Sequence, residues 1–176
     1  MPRVNHVKKA RKDYPNFGIK KGDSYYYWSF RFGPTIKSKN RPKPSQLTRS
    51  EFLSQIYEIT EYIDDLTIND MGEEGAEDII SDFVSEIEGL RDETQDKLDN
   101  MPYQLQDADV GQMLQERIEN LDDMISSLES IDSDVDPELD EGDFDEEIEG
   151  RTYEEAIEEE KQRILDEIKE VSYEGP

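Results

Sequence analysis

Apolar residues in the central part of the chain recur at alternating steps of four and three, and this spacing strongly constrains the fold. Three stretches show it: Phe52-Ile56-Ile59-Ile63-Leu66, Ile80-Phe83-Ile87-Leu90 and Leu114-Ile118-Leu121-Ile125-Leu128. The spacing places the apolar side chains on one stripe of an α-helix, as in a heptad seam. A helix with only two or three heptads is marginal alone, so it needs a packed neighbour. We therefore predict an antiparallel helical bundle or coiled-coil hairpins.

Capping and stop signals set the expected helix limits. Thr48 and Glu51 have the spacing of a capping box, which predicts that the first helix begins at Thr48. The second helix is expected over about 73–99, where Asn100-Met101-Pro102 stops it, and the third over about 109–131.

An acidic stretch and a fourth amphipathic helix are expected after the third seam. Residues 132–149 contain 11 acidic residues and no basic ones, which predicts a solvated, disordered linker over 132–151. A second capping box, Thr152 with Glu155, predicts a C-terminal helix over 152–176. Its apolar positions are Ile157, Ile164, Ile168 and Val171.

Charge is sorted along the chain. Residues 1–50, the basic head, hold 13 Lys/Arg and 2 Asp/Glu, a net of +11. Residues 51–176 hold 7 Lys/Arg and 44 Asp/Glu, a net of −37. A chain that needed only solubility would intersperse its charges. The pattern therefore favours two surfaces that attract opposite kinds of partner.

The head contains a predicted β-hairpin module within residues 1–45. Lys21-Gly22-Asp23 supplies turn chemistry, and the following stretch to Phe32 is rich in strand-forming residues. Alternation divides this strand into two faces, Tyr26/Trp28/Phe30/Phe32 and Tyr25/Tyr27/Ser29/Arg31. We interpret the first face as the module's core and the second as the one for outside contact. The fold class is therefore mainly α, with a small N-terminal β-hairpin module before a helical body at 46–131.

Cations and aromatic residues in the head form the candidate nucleic-acid site. Cations bind phosphates and exposed rings stack on bases, which together are typical of single-strand binding. The candidate residues are Lys8, Lys9, Arg11, Lys12, Lys20, Lys21, Tyr25, Tyr27, Arg31, Lys37, Lys39, Arg41 and Lys43.

The stretch Gly18-Ile19-Lys20-Lys21-Gly22-Asp23-Ser24-Tyr25, followed by Trp28, resembles the second half of a zinc-ribbon or treble-clef knuckle. In those families an I-x-x-G-[DE]-x-Y strand follows a Cys-x-x-Cys turn. The resemblance covers residues 14–45 and implies a metal-free knuckle held by its aromatic cluster, because the chain has no cysteine. The whole chain also resembles uncharacterised short phage-encoded proteins with a basic aromatic head and an acidic helical tail.

Carboxylates on the predicted second and third helices form the candidate protein-binding face. They are Glu73, Glu74, Glu77, Asp78, Asp82, Glu86, Glu116, Glu119, Asp122 and Asp123. An ordinary solvated helix face explains them. A sharper interpretation is mimicry of DNA, since B-DNA carries one charge per about 1.7 Å of axis and a helix rises about 1.5 Å per residue.

The motifs of common enzymes and metal sites are missing from the sequence. There is no P-loop, GxSxG, HExxH or Rossmann glycine pattern, and the only histidine is His6. Asp132, Asp134 and Asp136 have calcium-loop spacing, but Pro137 occupies the position that needs glycine. No apolar stretch approaches the roughly 20 residues of a membrane span. We expect a non-enzymatic, cytoplasmic protein (the host cytoplasm for a phage protein) with no cofactor, metal or membrane partner.

Three functions fit this sequence. The first is a nucleic-acid-associated adaptor whose head contacts nucleic acid and whose acidic helical body binds a protein. The second is a phage-type DNA mimic that inhibits a basic host nucleic-acid-binding or defence protein. The third is a scaffold whose seams self-associate into a homo-oligomer. The +11 head favours the adaptor, because a pure mimic has little use for it.

Overall fold

A three-stranded antiparallel sheet opens the computed structural model, which describes residues 1–72, 75–135 and 153–176. Strand β1 (Asn5–Val7) pairs with β2 (Tyr25–Ser29), which pairs with β3 (Thr35–Ser38). Residues 1–13 therefore contribute a strand in addition to the predicted hairpin. Strand β2 is shorter than predicted because a turn, closed by the Gly33 N–H donating to the Phe30 carbonyl at 2.9 Å, follows it.

The sheet buries an aromatic residue on each of its faces. Trp28 is 3% exposed, as the predicted core face requires, and Tyr25 on the opposite face is 7% exposed. Phe32 was expected beside Trp28, but it lies in the turn after β2 and is 94% exposed. Alternation of faces holds only while the chain stays extended, so it fails where the turn begins.

Helix α1 spans Glu51–Asp65. It begins later than predicted, because Ser50 and not Thr48 caps it: the Leu53 N–H donates to Ser50 Oγ at 3.3 Å. Thr48 Oγ1 instead accepts the Ser50 N–H at 3.1 Å. The predicted seam is confirmed, since all five of its apolar residues from Phe52 to Leu66 are buried.

Helices α2 (Glu77–Asp99) and α4 (Asp109–Glu129) form an antiparallel hairpin, joined through the short α3 (Tyr103–Gln106). At one end the Ala76 N–H donates to the Ser133 carbonyl at 3.0 Å. At the other end Gln106 Nε2 donates to the Leu98 carbonyl at 3.3 Å. The α2 seam is fully buried, and in α4 only Ile118 among the five seam residues is half-buried. The prediction of a mainly α fold with antiparallel helices is confirmed.

Helix α5 (Tyr153–Glu170) packs by its apolar face, burying Ala156, Ile164, Leu165 and Ile168. Its Lys169 Nζ donates to the Leu66 carbonyl at 2.8 Å. The predicted cap Thr152, Glu73, Glu74 and most of the predicted linker at 132–151 lie outside the described residues.

The chain divides into two units, Met1–Glu61 and Tyr62–Pro176. The first unit contains the sheet and most of α1. The second contains the helical hairpin of α2 and α4 together with α5. The proposed segment limits at 45, 131 and 151 stay predictions. In residues 1–72, 75–135 and 153–176, each helix is too short or too polar to cross a lipid bilayer.

Candidate nucleic-acid interface

Backbone hydrogen bonds hold two loops of the first unit side by side. The Ala10 N–H donates to the Asp23 carbonyl at 2.7 Å, and the Gly22 N–H donates to the Ala10 carbonyl at 2.9 Å. The Lys21 N–H also donates to the Asp13 carboxylate at 2.5 Å. Ala10 is buried between these contacts, so the loop after β1 and the turn before β2 form one surface.

Six of the predicted cations extend from this surface, and all six are exposed. We call them the paired-loop cluster: Lys8, Lys9, Arg11, Lys12, Lys20 and Lys21. Backbone hydrogen bonds, and not the charged side chains, hold the two loops together and set the spacing of these six cations. Side chains in such a cluster remain available for phosphate oxygens.

Both acidic residues of the head, Asp13 and Asp23, accept hydrogen bonds from backbone N–H groups of the head itself. Asp23 accepts the Lys20 N–H at 3.0 Å and contacts Lys39 Nζ at 3.1 Å. The Lys20 N–H, followed by the Lys39 ammonium, holds the pKa of Asp23 below its ordinary value. Lys43 approaches Glu61 at 4.0 Å. The charges of Lys39 and Lys43 are therefore partly neutralised. Arg41, another predicted cation, is exposed and makes no ion pair with a carboxylate in the described residues.

Tyr25 was expected to face a partner, and the structure corrects this. It is buried with Ala10 and Ile19, and Tyr14 and Tyr27 pack against this cluster. A hydrogen bond with the Tyr14 hydroxyl, followed by burial, raises the pKa of the Tyr25 phenol. The loop that carries the cations covers this face of the sheet, so Tyr25 is a core residue and Tyr27 is only partly accessible.

The exposed ring of Phe17 lies beside cations, together with the half-buried ring of Tyr14. Phe17, which is 38% exposed, ends a short 3₁₀ helix over Pro15–Phe17. The ammonium of Lys37 lies 4.8 Å from the ring centroid of Tyr14 and 5.2 Å from that of Phe17. Lys12 lies 5.5 Å from the Tyr14 centroid. These cation–π contacts place flat rings and positive charge in one area.

Phe17 and His6 are surface residues that the sequence alone did not single out. The Pro15-Asn16-Phe17-Gly18 stretch carried a usable signal, because proline starts and glycine ends a short helical turn there. His6 stacks on Tyr26 with ring centroids 4.6 Å apart. Nothing local to His6 predicts this stack, because it depends on the pairing of β1 with β2.

The predicted acidic face lies on α2 and α4 of the second unit. The eight carboxylates that the structure describes are all exposed: Glu77, Asp78, Asp82, Glu86, Glu116, Glu119, Asp122 and Asp123. Glu73 and Glu74 fall outside the described residues. Arg91 links the two helices, with Nη1 3.4 Å from Asp122 Oδ1. The Arg91 guanidinium donates hydrogen bonds to the carboxylates of Asp92 and Asp122, and these bonds, that to Asp92 first, raise the pKa of Arg91.

No group of three or more histidine, aspartate or glutamate side chains in the described ranges is arranged to hold a metal ion. The carboxylates of these ranges therefore do not converge on one metal-sized site. Comparisons with protein-family models, with curated proteins and with solved structures each returned no match for this chain.

Proposed function

We propose that the protein is a non-enzymatic adaptor that contacts nucleic acid through its basic head and a protein through its acidic helical body. The observation that carries the proposal is the paired-loop cluster, in which six exposed cations extend from two loops tied together by backbone hydrogen bonds. A nucleic-acid strand is the partner whose repeating phosphates match such a cluster.

The exposed Phe17 ring next to the cations favours single-stranded over duplex nucleic acid. Phe17 and Tyr14 lie under the Lys37 ammonium, and Lys12 lies near the Tyr14 ring. Unpaired bases can stack on such rings, while bases within a duplex are not available for stacking. We therefore expect the head to bind single strands more tightly than duplexes of equal length.

A salt series with the full chain tests the proposal. Fluorescein-labelled single-stranded and duplex DNA are titrated with the wild type, with Lys8→Gln/Lys9→Gln and with the control Lys97→Gln/Lys161→Gln. Both double variants change the net charge equally, but the control residues lie in the second unit. Each lost phosphate contact lowers the slope of log affinity against log salt by about 0.7 on a single strand.

We expect the head variant to lose a slope of about 1.4 and the control to match the wild type. The proposal is wrong if the full chain shows no salt-dependent binding. It is also wrong if the two double variants weaken binding equally, because net charge alone would then explain the affinity.

DNA mimicry is the second candidate, and the exposure of eight carboxylates on α2 and α4 favours it. A mimic must inhibit a DNA-binding enzyme without binding DNA itself. Restriction endonucleases assayed with the full chain test this, with Asp82→Asn/Glu86→Gln as the variant that should restore cleavage. Inhibition by the full chain together with no DNA binding would favour the mimic over the adaptor.

A further inference from the structure

A groove of about 540 Å³ in the first unit runs between the end of β2 and the start of α1. Its walls include the apolar side chains of Phe30, Leu47, Leu53 and Tyr57, together with Arg31 and Arg49. The volume is within the range of small-molecule sites, which are mostly apolar with a few placed polar groups. The two guanidinium groups favour an anion as part of the occupant.

Arg49 is held in place at this groove by three features of the turn after β2. Its Nη2 donates to the Arg31 carbonyl at 2.8 Å, and its guanidinium carbon lies 5.0 Å from the Phe30 ring centroid. Gly33 leaves room for it, because a Cβ there would lie 2.9 Å from Nη2. A guanidinium fixed in this way loses little freedom on binding, and its other N–H donors stay available.

The same turn carries a strained and exposed aromatic residue. Phe32 has a φ of +63° although it is not glycine, and its side chain is 94% exposed. The Arg31 guanidinium lies 5.0 Å from the Phe32 ring centroid. Bulky residues rarely adopt this backbone conformation, and such strain concentrates at binding sites. The turn therefore presents two arginine–phenylalanine pairs beside one groove.

We propose that this groove binds one nucleotide of a single-stranded nucleic acid. The base would lie against the apolar walls, and its phosphate would be bound by Arg31 and Arg49. The inference rests on the proposed function and gives it a specific site away from the paired-loop cluster. A nucleotide is favoured over an acidic peptide because the groove places the flat rings of Phe30 and Tyr57 beside two cations, and bases stack on such rings.

The groove can be tested with its own small ligand. Full-length ¹⁵N-labelled protein is titrated separately with AMP, adenosine, inorganic phosphate and an acidic phenylalanine-containing peptide. We expect AMP to shift the amides of Phe30, Arg31 and Leu53, with an affinity at least about tenfold above that of adenosine or phosphate, as charged hydrogen bonds provide.

Variants separate the groove from the general charge of the head. Gly33→Ala displaces Arg49 without changing charge, and Arg49→Lys keeps the charge but loses the planar fork. We expect each to weaken AMP binding by about tenfold. Lys8→Gln lies in the paired-loop cluster and should leave AMP binding unchanged. The amide spectrum shows whether Gly33→Ala stays folded, and Arg49→Lys tests the same point if it does not.

A 2-aminopurine-labelled single-stranded oligonucleotide connects the groove to strand binding. Stacking quenches its fluorescence, and we expect Gly33→Ala and Arg49→Lys to reduce the quench at saturation. Lys8→Gln should weaken the affinity but preserve the quench.

If the oligonucleotide binds while AMP leaves the groove amides unshifted, the groove inference is wrong and the adaptor proposal stands. If AMP binds as expected and no oligonucleotide does, the adaptor proposal and the assignment of the groove to a nucleic-acid strand are both wrong. Equal binding of AMP and phosphate, or a preference for the peptide, would overturn the nucleotide site.

Discussion

In the first unit, functional side chains extend from loops fixed by backbone hydrogen bonds, whereas in the second they extend from helices fixed by apolar seams. The N–H and carbonyl of Ala10 both form hydrogen bonds with the turn before β2. These bonds fix the positions of the cations on the two loops. The carboxylates of α2 and α4 are placed by residues such as Ile87 and Leu121, which are wholly buried on the opposite helix faces.

Because they are held in place differently, the two charged surfaces should respond differently to substitution. On α2 and α4 the exposed carboxylates other than Asp122, which pairs with Arg91, can be replaced without touching the seam, so their replacement should leave the helix packing intact. In the first unit Asp23, Lys39 and Arg49 each contact the turns that shape the site. Changes in the first unit should therefore alter site geometry more readily than changes in the second.

The largest expected effect is a charge placed in the α2 seam. Ile87→Asp buries a carboxylate at a position with 0% exposure, so the free energy of unfolding should fall by about 4 kcal/mol or more. Circular dichroism at 222 nm during urea unfolding measures it. Ser85→Asp adds the same charge at an exposed position of α2 and should change stability by only about 0.5 kcal/mol. Equal unfolding midpoints for the two variants would show that the seam assignment is wrong.

Two glycines of the second unit give the next largest contrast. A Cβ at Gly111 would overlap the Gln106 carbonyl oxygen, while one at Gly89 would contact nothing within 4 Å. Gly111→Ala should lower the free energy of unfolding by about 1–3 kcal/mol because backbone must shift. Gly89→Ala should raise it by about 0.5–1 kcal/mol because alanine favours a helix. Urea unfolding checks both, and stabilisation by Gly111→Ala would contradict the close packing of α3 against α4.

The seams could be predicted from the sequence because helical burial follows directly from local spacing. Fourteen residues carry the three seams, and only Ile118 is less buried than expected. The packing of α5 could not be predicted, since its Lys169 bond to Leu66 joins residues far apart in the chain.

The geometry of the first unit was much harder to predict. The pairing of Asn5 with Tyr27 is not local, so neither β1 nor the loop covering Tyr25 had a signal in the sequence. Arg49 reaches the turn at Arg31 through tertiary structure alone. Ten of the eleven predicted cations are exposed and Lys37 is half-buried. The grouping of six of them on two tied loops depended on hydrogen bonds that residue types do not specify.

Loss of one hydroxyl should have a moderate effect in the first unit. Tyr25→Phe removes the hydrogen bond with Tyr14 and should lower the free energy of unfolding by about 1 kcal/mol. Urea unfolding followed by the emission of Trp28, the single tryptophan, reports this unit. The control Tyr103→Phe removes the hydroxyl of an exposed residue in the second unit and should leave the Trp28 transition unchanged.

The same variant gives a pH dependence with a definite sign. The pKa of Tyr25 is raised above its ordinary value of 10.0, so its neutral form is favoured by folding. That contribution is complete below pH 10 and is lost as the pH rises through the raised pKa. The stability difference between wild type and Tyr25→Phe should therefore shrink in alkali. A constant difference between about pH 8 and about pH 11 would show that Tyr25 is not held neutral.

The smallest expected effect concerns the strained turn at Phe32. An L-residue in the left-handed region costs about 1–2 kcal/mol, and glycine avoids most of this but loses about 0.5–1 kcal/mol through its greater freedom when unfolded. Phe32→Gly should therefore exceed Phe32→Ala in the free energy of unfolding by up to about 1 kcal/mol. Both variants lose the ring, so the comparison isolates the backbone. Trp28 emission in urea measures the difference.

If the strained ring contributes to binding, relief of the backbone strain by glycine should not restore the affinity that is lost with the ring. Phe32→Gly should be at least as stable as Phe32→Ala, yet both should bind single-stranded DNA more weakly than wild type, because the exposed ring and its contact with Arg31 are gone. Full binding by both variants would leave the strained ring without a role in recognition. It would also confine nucleic-acid contact in the first unit to surfaces fixed by unstrained loops, such as the paired-loop cluster.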